Sequence, residues 1–151
     1  MIDTKNGILF VDKSTGWTSF DVCNFIKKRF RIKKVGHAGT LDPQASGLLV
    51  LLLGRCTKLS SLFLHCDKTY EATLELGVVT TSQDGAGEVV ETNDWQQLSP
   101  ERVEEVMSGF QGEYEQLPPM FSALQKNGKR LYTLARQGIT VDRELRIVNI
   151  Y

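Results

Sequence analysis

The run of six apolar residues from Leu48 to Leu53 constrains the fold more than any other segment of this sequence. A continuous apolar run of this length, without alternation, is typical of a strand that is buried on both faces. It therefore predicts a central strand of a sheet. The preceding segment, residues 36–47, is polar and contains three glycines, which indicates a loop mounted directly on that strand. Loops held in this way commonly carry functional residues.

A helix is predicted in the first third of the chain. Val22, Ile26 and Phe30 recur every four positions, and Phe25 lies beside them. This spacing gives an apolar stripe that suits a helix lying on a sheet. Ser19 stands just before the stripe and is expected to cap the helix.

The remaining segments read as strands and short helices. Residues 68–78 alternate between polar and apolar, which predicts a strand with Tyr70 pointing inward. Three further strands are expected, at 8–11, at 88–91 as a hairpin strand after the polar loop 80–87, and at 145–151. Three further helices are expected, namely a short one at 55–65, one from Ser99 and Pro100 to about residue 110, and one at 129–137 with Gly138 as its C-cap. This order predicts an α+β fold with a mixed, largely antiparallel sheet and flanking helices, without an internal domain boundary in residues 1–151.

Composition excludes several classes of protein. The 151 residues are 41% apolar and 24% charged, and no apolar run approaches the roughly 18 residues of a membrane span. The amino terminus shows no basic and apolar leader, so a cytoplasmic location is expected. The three cysteines are far apart and form no CxxC pair, so free thiols and no metal site are expected.

Charge is distributed unevenly along a chain whose 18 basic and 18 acidic residues cancel. Residues 1–70 hold 11 Lys or Arg against 5 Asp or Glu, whereas residues 71–151 hold 7 against 13. Six of the basic residues lie between Lys27 and Lys34. They form either a solvated helix end, where cations complement the helix dipole, or a patch that faces phosphates.

The polar loop contains His37 and Asp42, five positions apart. An acid–base pair is possible, but no Ser or Cys stands in a nucleophile-elbow pattern. A metal site lacks ligands because the chain has only two histidines, and a phosphate cradle lacks the Lys-Ser/Thr ending of a P-loop. An isolated Asp-Pro pair is usually a turn former. The two residues alone therefore leave the chemistry open.

The complete loop reads GHAGTLDPQASG, and this string resembles the signature of the TruB family of pseudouridine synthases. Further segments match that family in the same order, namely residues 12–19 (DKSTGWTS), Lys68-Thr69-Tyr70, Leu76-Gly77 with Thr80, Thr81 and Asp84, and residues 116–119 (QLPP) with Ser122, Ala123, Gly128, Tyr132, Ala135 and Arg136. The resemblance extends from Gly7 to the last residue, and the bacterial form fits best. Ser14, Cys56 and Gln125 depart from the usual Pro, Ala and Lys.

The resemblance implies isomerisation of uridine to pseudouridine in the T-loop of tRNA, at position 55, with Asp42 as the catalytic aspartate. The reaction breaks the bond from N1 to C1′ and joins C5 to C1′, and it needs no metal or other cofactor. A carboxylate can attack carbon, stabilise an oxocarbenium-like sugar or accept a proton, and these roles stay open. Tyr70, the second predicted catalytic residue, matches the family tyrosine that stacks on the target base and can relay a proton.

The resemblance also implies how RNA is bound. His37 matches a histidine that enters the T-loop where bases have been flipped out, offsetting part of the cost of extrusion. Lys13 and the basic run are candidate phosphate contacts. The other residues expected to bind the tRNA T-stem-loop are Gly39, Thr40, Asp84 and Arg136.

Family members continue past the length of this chain and contribute an arginine that pairs with the catalytic aspartate. We therefore expect an incomplete pseudouridine synthase fold whose open sheet edge favours self-association, and a 151-residue chain that is silent on its own. An alternative is an RNA-binding module that keeps the fold without the chemistry. A metal-dependent nuclease is disfavoured because Asp42 and Asp84 have no evident third carboxylate.

Overall fold

The computed structural model describes residues 5–151, and the chain divides into two compact units, Met1–Glu71 and Ala72–Tyr151. A division of contacts does not by itself define domains that fold independently. The absence of an internal domain boundary therefore stays a prediction. No helix within residues 5–151 combines the length and hydrophobicity needed to cross a bilayer.

The first unit is a three-stranded antiparallel sheet with a helix packed against it. Its elements are β1 (Gly7–Lys13), α1 (Ser19–Arg29), β2 (Val35–His37), β3 (Gly47–Leu53), a 3₁₀ turn (Gly54–Leu59) and α2 (Ser60–Leu64), and the strand order is β1-β3-β2. The 3₁₀ turn and α2 occupy the position of the short helix expected at 55–65. The expected strand at 8–11 is confirmed as part of β1.

Strand β3 lies in the centre of this sheet, as the apolar run predicts. It pairs with β1 along its whole length, from Gly47 opposite Lys13 to Leu53 opposite Gly7. Leu51 is fully buried, but Leu48 is 66% exposed, so the prediction of burial on both faces is wrong for the start of the strand. The reason is that Leu48 lies on the face opposite Leu49 and Leu51, which pack against α1, so the helix does not cover it.

Helix α1 begins one residue earlier than the sequence suggested. The cap is Thr18, whose hydroxyl accepts a hydrogen bond from Asp21 N at 3.0 Å, while the Asp21 carboxylate accepts one from Thr18 N at 3.0 Å. Hydrogen bonds from the Thr18 hydroxyl and backbone lower the pKa of the Asp21 carboxyl. The prediction of Ser19 as the cap is wrong because its hydroxyl turns away from the helix, toward Leu41.

The core of the first unit lies between α1 and β3. Val22, Cys23 and Ile26 of the helix pack with Leu49 and Leu51 of the strand. Burial raises the pKa of the Cys23 thiol. The predicted stripe is corrected at both phenylalanines, since Phe25 is 52% exposed and Phe30 is 58% exposed. Phe30 follows the last helical residue, so it no longer shares the face that the helical period defines.

The second unit consists of three two-stranded antiparallel pairs and two helices. Its elements are β4 (Val78–Thr80), β5 (Val89–Thr92), α3 (Pro100–Ser108), β6 (Gly112–Gln116), β7 (Gln125–Lys126), β8 (Lys129–Arg130), α4 (Leu131–Ala135) and β9 (Arg146–Ile150), paired β4-β5, β6-β9 and β7-β8. The expected hairpin strand after the polar loop, the Ser99 cap with Pro100, and the last strand are confirmed. The α+β class and the antiparallel pairing are confirmed. The expected mixed sheet is corrected, since every ladder in the described part of the chain is antiparallel and the strands form four small sheets.

Two expected elements differ from the structure. Residues 68–77 form no strand, and Tyr70 is 68% exposed instead of pointing inward. No described strand pairs with this segment, and an alternating pattern cannot form a ladder without a partner for its backbone groups. The helix expected at 129–137 shortens to α4 because Lys129 and Arg130 pair with β7 instead.

Candidate functional site

The loop that carries Asp42 connects β2 to β3. It is shorter than the sequence suggested, because Gly36 and His37 pair with β3 and extend β2 into the glycine-rich segment. Gly39 and Gly47 adopt φ values of 130° and 117°, in the left-handed region that favours glycine. These two glycines let the loop leave β2 and rejoin β3 within a few residues of Asp42.

Hydrogen bonds fix the backbone on both sides of Asp42. Leu41 N donates to Ser19 Oγ at 2.9 Å, and the same hydroxyl donates to Leu41 O at 3.1 Å. On the other side, Gly16 N donates to Pro43 O at 2.7 Å. The start of α1 and the turn before it therefore hold the residues that flank Asp42.

The Asp42 side chain is exposed and receives no hydrogen bond or ion pair from any residue within 5–151. Its backbone carbonyl accepts a hydrogen bond from Ala45 N at 3.0 Å, which closes a tight turn. A carboxylate presented from a fixed backbone, with its oxygens unengaged, can attack a carbon, stabilise a nearby cation or accept a proton.

His37 lies at the entry to the same loop. Its Nδ1 is 2.6 Å from Gly39 O, and because a carbonyl can only accept, Nδ1 carries the proton and donates. In the neutral form of the ring, Nε2 is then the acceptor. The ring is half-buried, whereas Thr40 is exposed. The structure therefore places Gly39, Thr40 and Asp42 in this loop and His37 at the end of β2 that leads into it.

Lys13 is placed differently from its predicted role. It is only 1% exposed, and its Nζ donates to Ser14 O at 3.1 Å and to Trp17 O at 2.8 Å. The prediction of a phosphate contact is corrected because the ammonium is turned inward onto the carbonyls of its own turn. Lys13 shapes the turn that contains Gly16, and the amide of Gly16 donates a hydrogen bond to Pro43 O.

The other predicted residues lie outside this loop. Tyr70 belongs to the first unit and stands outside every strand, with its ring mostly exposed. In the second unit, the Asp84 carboxylate accepts from Ser82 Oγ at 2.5 Å and Ala86 N at 2.9 Å, so it stabilises its own turn. Arg136, also in the second unit, is exposed and lies over the Tyr132 ring at 5.5 Å.

The basic run surrounds a buried anchor. Ile32 is 5% exposed and packs into the core of the first unit, while all six cations between Lys27 and Lys34 are exposed. The cations therefore project from a segment that the core holds in place. Among residues 5–151, no three His, Cys, Asp or Glu side chains are grouped so that they could hold a metal ion.

Ser19 is the residue of this site that sequence reasoning missed. The signal was present in the pattern Thr18-x-x-Asp21, which resembles a capping box and assigns the cap to Thr18. That assignment leaves the neighbouring hydroxyl available for another partner. The partner itself is 22 positions away and could not be read from local sequence.

Residues 27–151 match the family described as TruB family pseudouridylate synthase (N terminal domain). Among curated relatives, a tRNA pseudouridine synthase B of Clostridium perfringens is 45% identical over 97% of this chain and 50% of its own length. One of Nitrosococcus oceani is 47% identical over 97% of this chain and 47% of its own length. The chain thus spans about half the length of the curated relatives it matches.

Solved structures are similar in fold. One chain in the crystal structure of a Cbf5-Nop10-Gar1 complex has a TM-score of 0.57 and 24% identity, covering 96% of this chain and 33% of its own. One chain in the crystal structure of an archaeal box H/ACA sRNP Nop10-Cbf5 complex has a TM-score of 0.50 and 26% identity, covering 75% of this chain and 31% of its own. These similarities support the α+β fold.

Substitution of the loop glycines tests whether backbone conformation holds the site. Gly39→Ala forces an alanine to φ 130°, so we expect a loss of about 1–3 kcal/mol in the free energy of unfolding. Gly36→Ala is the control, because a Cβ there meets Thr57 Cγ2 at an ordinary 3.7 Å, and its stability should change by less than about 0.5 kcal/mol. Urea unfolding measures both, and equal losses in the two variants would contradict the interpretation.

Proposed function

The chain belongs to the TruB family of pseudouridylate synthases, and from this premise we propose that the protein carrying it converts uridine to pseudouridine in the T-loop of tRNA. Asp42 is the catalytic carboxylate in this proposal. The observation that carries it is the unengaged Asp42 side chain on a backbone that Ser19 and Gly16 fix on either side. Relatives named tRNA pseudouridine synthase B support tRNA as the substrate.

The chemistry explains why such a carboxylate is useful. The bond from N1 to C1′ breaks, the base turns, C5 joins C1′, C5 loses its proton and N1 gains one, so the product is an isomer of the substrate. A carboxylate can bond to carbon or stabilise the oxocarbenium-like sugar while the base turns, and it can take the proton from C5. An Asp42 side chain without a competing partner among residues 5–151 fits each of these roles.

The residues beside Asp42 serve RNA binding in this proposal. The His37 ring is held by Gly39 O, so it is a planar group of fixed orientation that can fill the space left by an extruded base. Gly39 and Thr40 present the adjoining backbone to the RNA. Tyr70 is exposed and available to stack on the target base. Asp84 and Arg136 are proposed as RNA contacts of the second unit by itself.

The alternative proposal is an RNA-binding segment that does not catalyse the reaction by itself. It is favoured by the position of Tyr70, which no described strand holds in place. Binding and turnover must therefore be measured separately, on this chain and on the natural protein that contains it.

The exposed edge of β1 supports a further part of the proposal, self-association of the isolated chain. No described strand pairs with the outer edge of this seven-residue strand, and Phe10 on it is 65% exposed. An unpaired apolar edge offers backbone groups to another chain. We expect the average mass to rise with concentration in analytical ultracentrifugation, and a constant monomer mass would contradict this expectation.

Substitution of Asp42 tests the catalytic role in the natural protein at its full length. Asp42→Asn should abolish turnover, measured as tritium release from RNA labelled at C5 of uridine, because the amide cannot act as nucleophile or base. RNA affinity should stay within about tenfold, roughly 1.4 kcal/mol. Asp67→Asn, an exposed aspartate of the same unit, is the control and should retain turnover. Residual turnover of Asp42→Asn above a few per cent would place the chemistry elsewhere.

The basic run is tested through the salt dependence of RNA binding. Lys33 and Lys34 are exposed and lie beyond the helix, so replacing both by Gln leaves α1 intact. The slope of log affinity against log salt should fall by about 1–2 units if both contact phosphates. Arg102→Gln is the control, since this side chain is already paired with Glu105 at 2.6 Å. An unchanged slope for the double variant would favour the solvated-helix interpretation.

A further inference from the structure

We propose that Ser19 is a positioning residue for Asp42, an inference that rests on the proposed function. Ser19 is 2% exposed, yet it belongs to the first turn of α1, where its hydroxyl has no role in the cap. That hydroxyl accepts from Leu41 N and donates to Leu41 O, so it uses both of its hydrogen-bonding capacities on one residue. The residue it holds directly precedes Asp42.

The geometry explains why this contact controls the carboxylate. The carbonyl of Leu41 and the amide of Asp42 belong to one planar peptide group. A hydrogen bond to that carbonyl therefore fixes the plane from which Asp42 projects, and the bond from Leu41 N fixes the preceding plane. Rotation of either plane would swing the Asp42 side chain relative to the loop.

The two neighbouring hydroxyls of the helix start have separate tasks. Thr18 closes the helix through Asp21, while Ser19 reaches across to the loop. Both hydroxyls lie at the same end of α1, but only the Thr18 hydroxyl caps the helix and only the Ser19 hydroxyl holds Leu41. The pair therefore offers a matched test in which helix stability and loop position are separated.

The experiment compares Ser19→Ala, Ser19→Thr and Thr18→Ala in the natural protein at its full length. For Ser19→Ala, we expect faster hydrogen exchange at Leu41 N and a fall in kcat of about 10- to 100-fold, with KM and RNA affinity nearly unchanged. Ser19→Thr keeps a hydroxyl and should recover kcat to within about tenfold of wild type. Thr18→Ala should lower the unfolding midpoint while leaving kcat and Leu41 exchange unchanged.

The outcomes separate this inference from the proposed function. A wild type that releases no tritium overturns both. A wild type that releases tritium, with a Ser19→Ala variant of equal kcat or unchanged Leu41 exchange, overturns only the inference, as does a Thr18→Ala variant that loses as much kcat. Should Ser19→Ala not fold, Ser19→Cys replaces it, because a thiol fills similar space and forms only weak hydrogen bonds. The same comparison then applies.

Discussion

The antiparallel ladder between β1 and β3 is the interaction on which the first unit depends. It aligns Lys13 with Gly47, so the turn that follows β1 and the end of the loop that precedes β3 meet at one end of the sheet. The apolar contacts between β3 and α1 then bring the start of the helix to the same place. Two stretches that are distant in sequence, residues 13–19 and 41–47, converge there, and Asp42 lies in the second.

The buried lysine is a second constraint at this end of the sheet. An ammonium group that leaves water must recover its hydrogen bonds, and Lys13 does so on the carbonyls of Ser14 and Trp17. The turn is thereby wrapped around the cation, and Gly16 within it points its amide at Pro43. A residue that looked like a contact for RNA instead shapes the protein surface beside the carboxylate.

The sequence predicts the elements that depend on local signals, and its predictions fail for elements and contacts that depend on distant residues. The apolar run predicts β3 and the Ser99-Pro100 pair predicts α3, because burial and helix capping each require particular residues at neighbouring positions. The alternation around Tyr70 was misleading, since a strand also needs a neighbour. The Thr18-x-x-Asp21 pattern leaves the Ser19 hydroxyl free of a cap role, but no local signal identifies Leu41 as its partner. The Asp42 loop was recognised through its resemblance to a family, whereas its residues alone left several chemistries open.

The hydrogen bonds on either side of Asp42 have a consequence for the entropy of binding. Ordering the backbone of one residue costs about 1–2 kcal/mol in conformational entropy, so the segment Leu41–Pro43 represents roughly 3–6 kcal/mol. Because Ser19 and Gly16 order these residues within the protein's own fold, the entropy is lost when the chain folds and not when it binds RNA. Under the proposed function, an RNA that binds here meets a segment that is already ordered, so its binding free energy remains available for extruding the base.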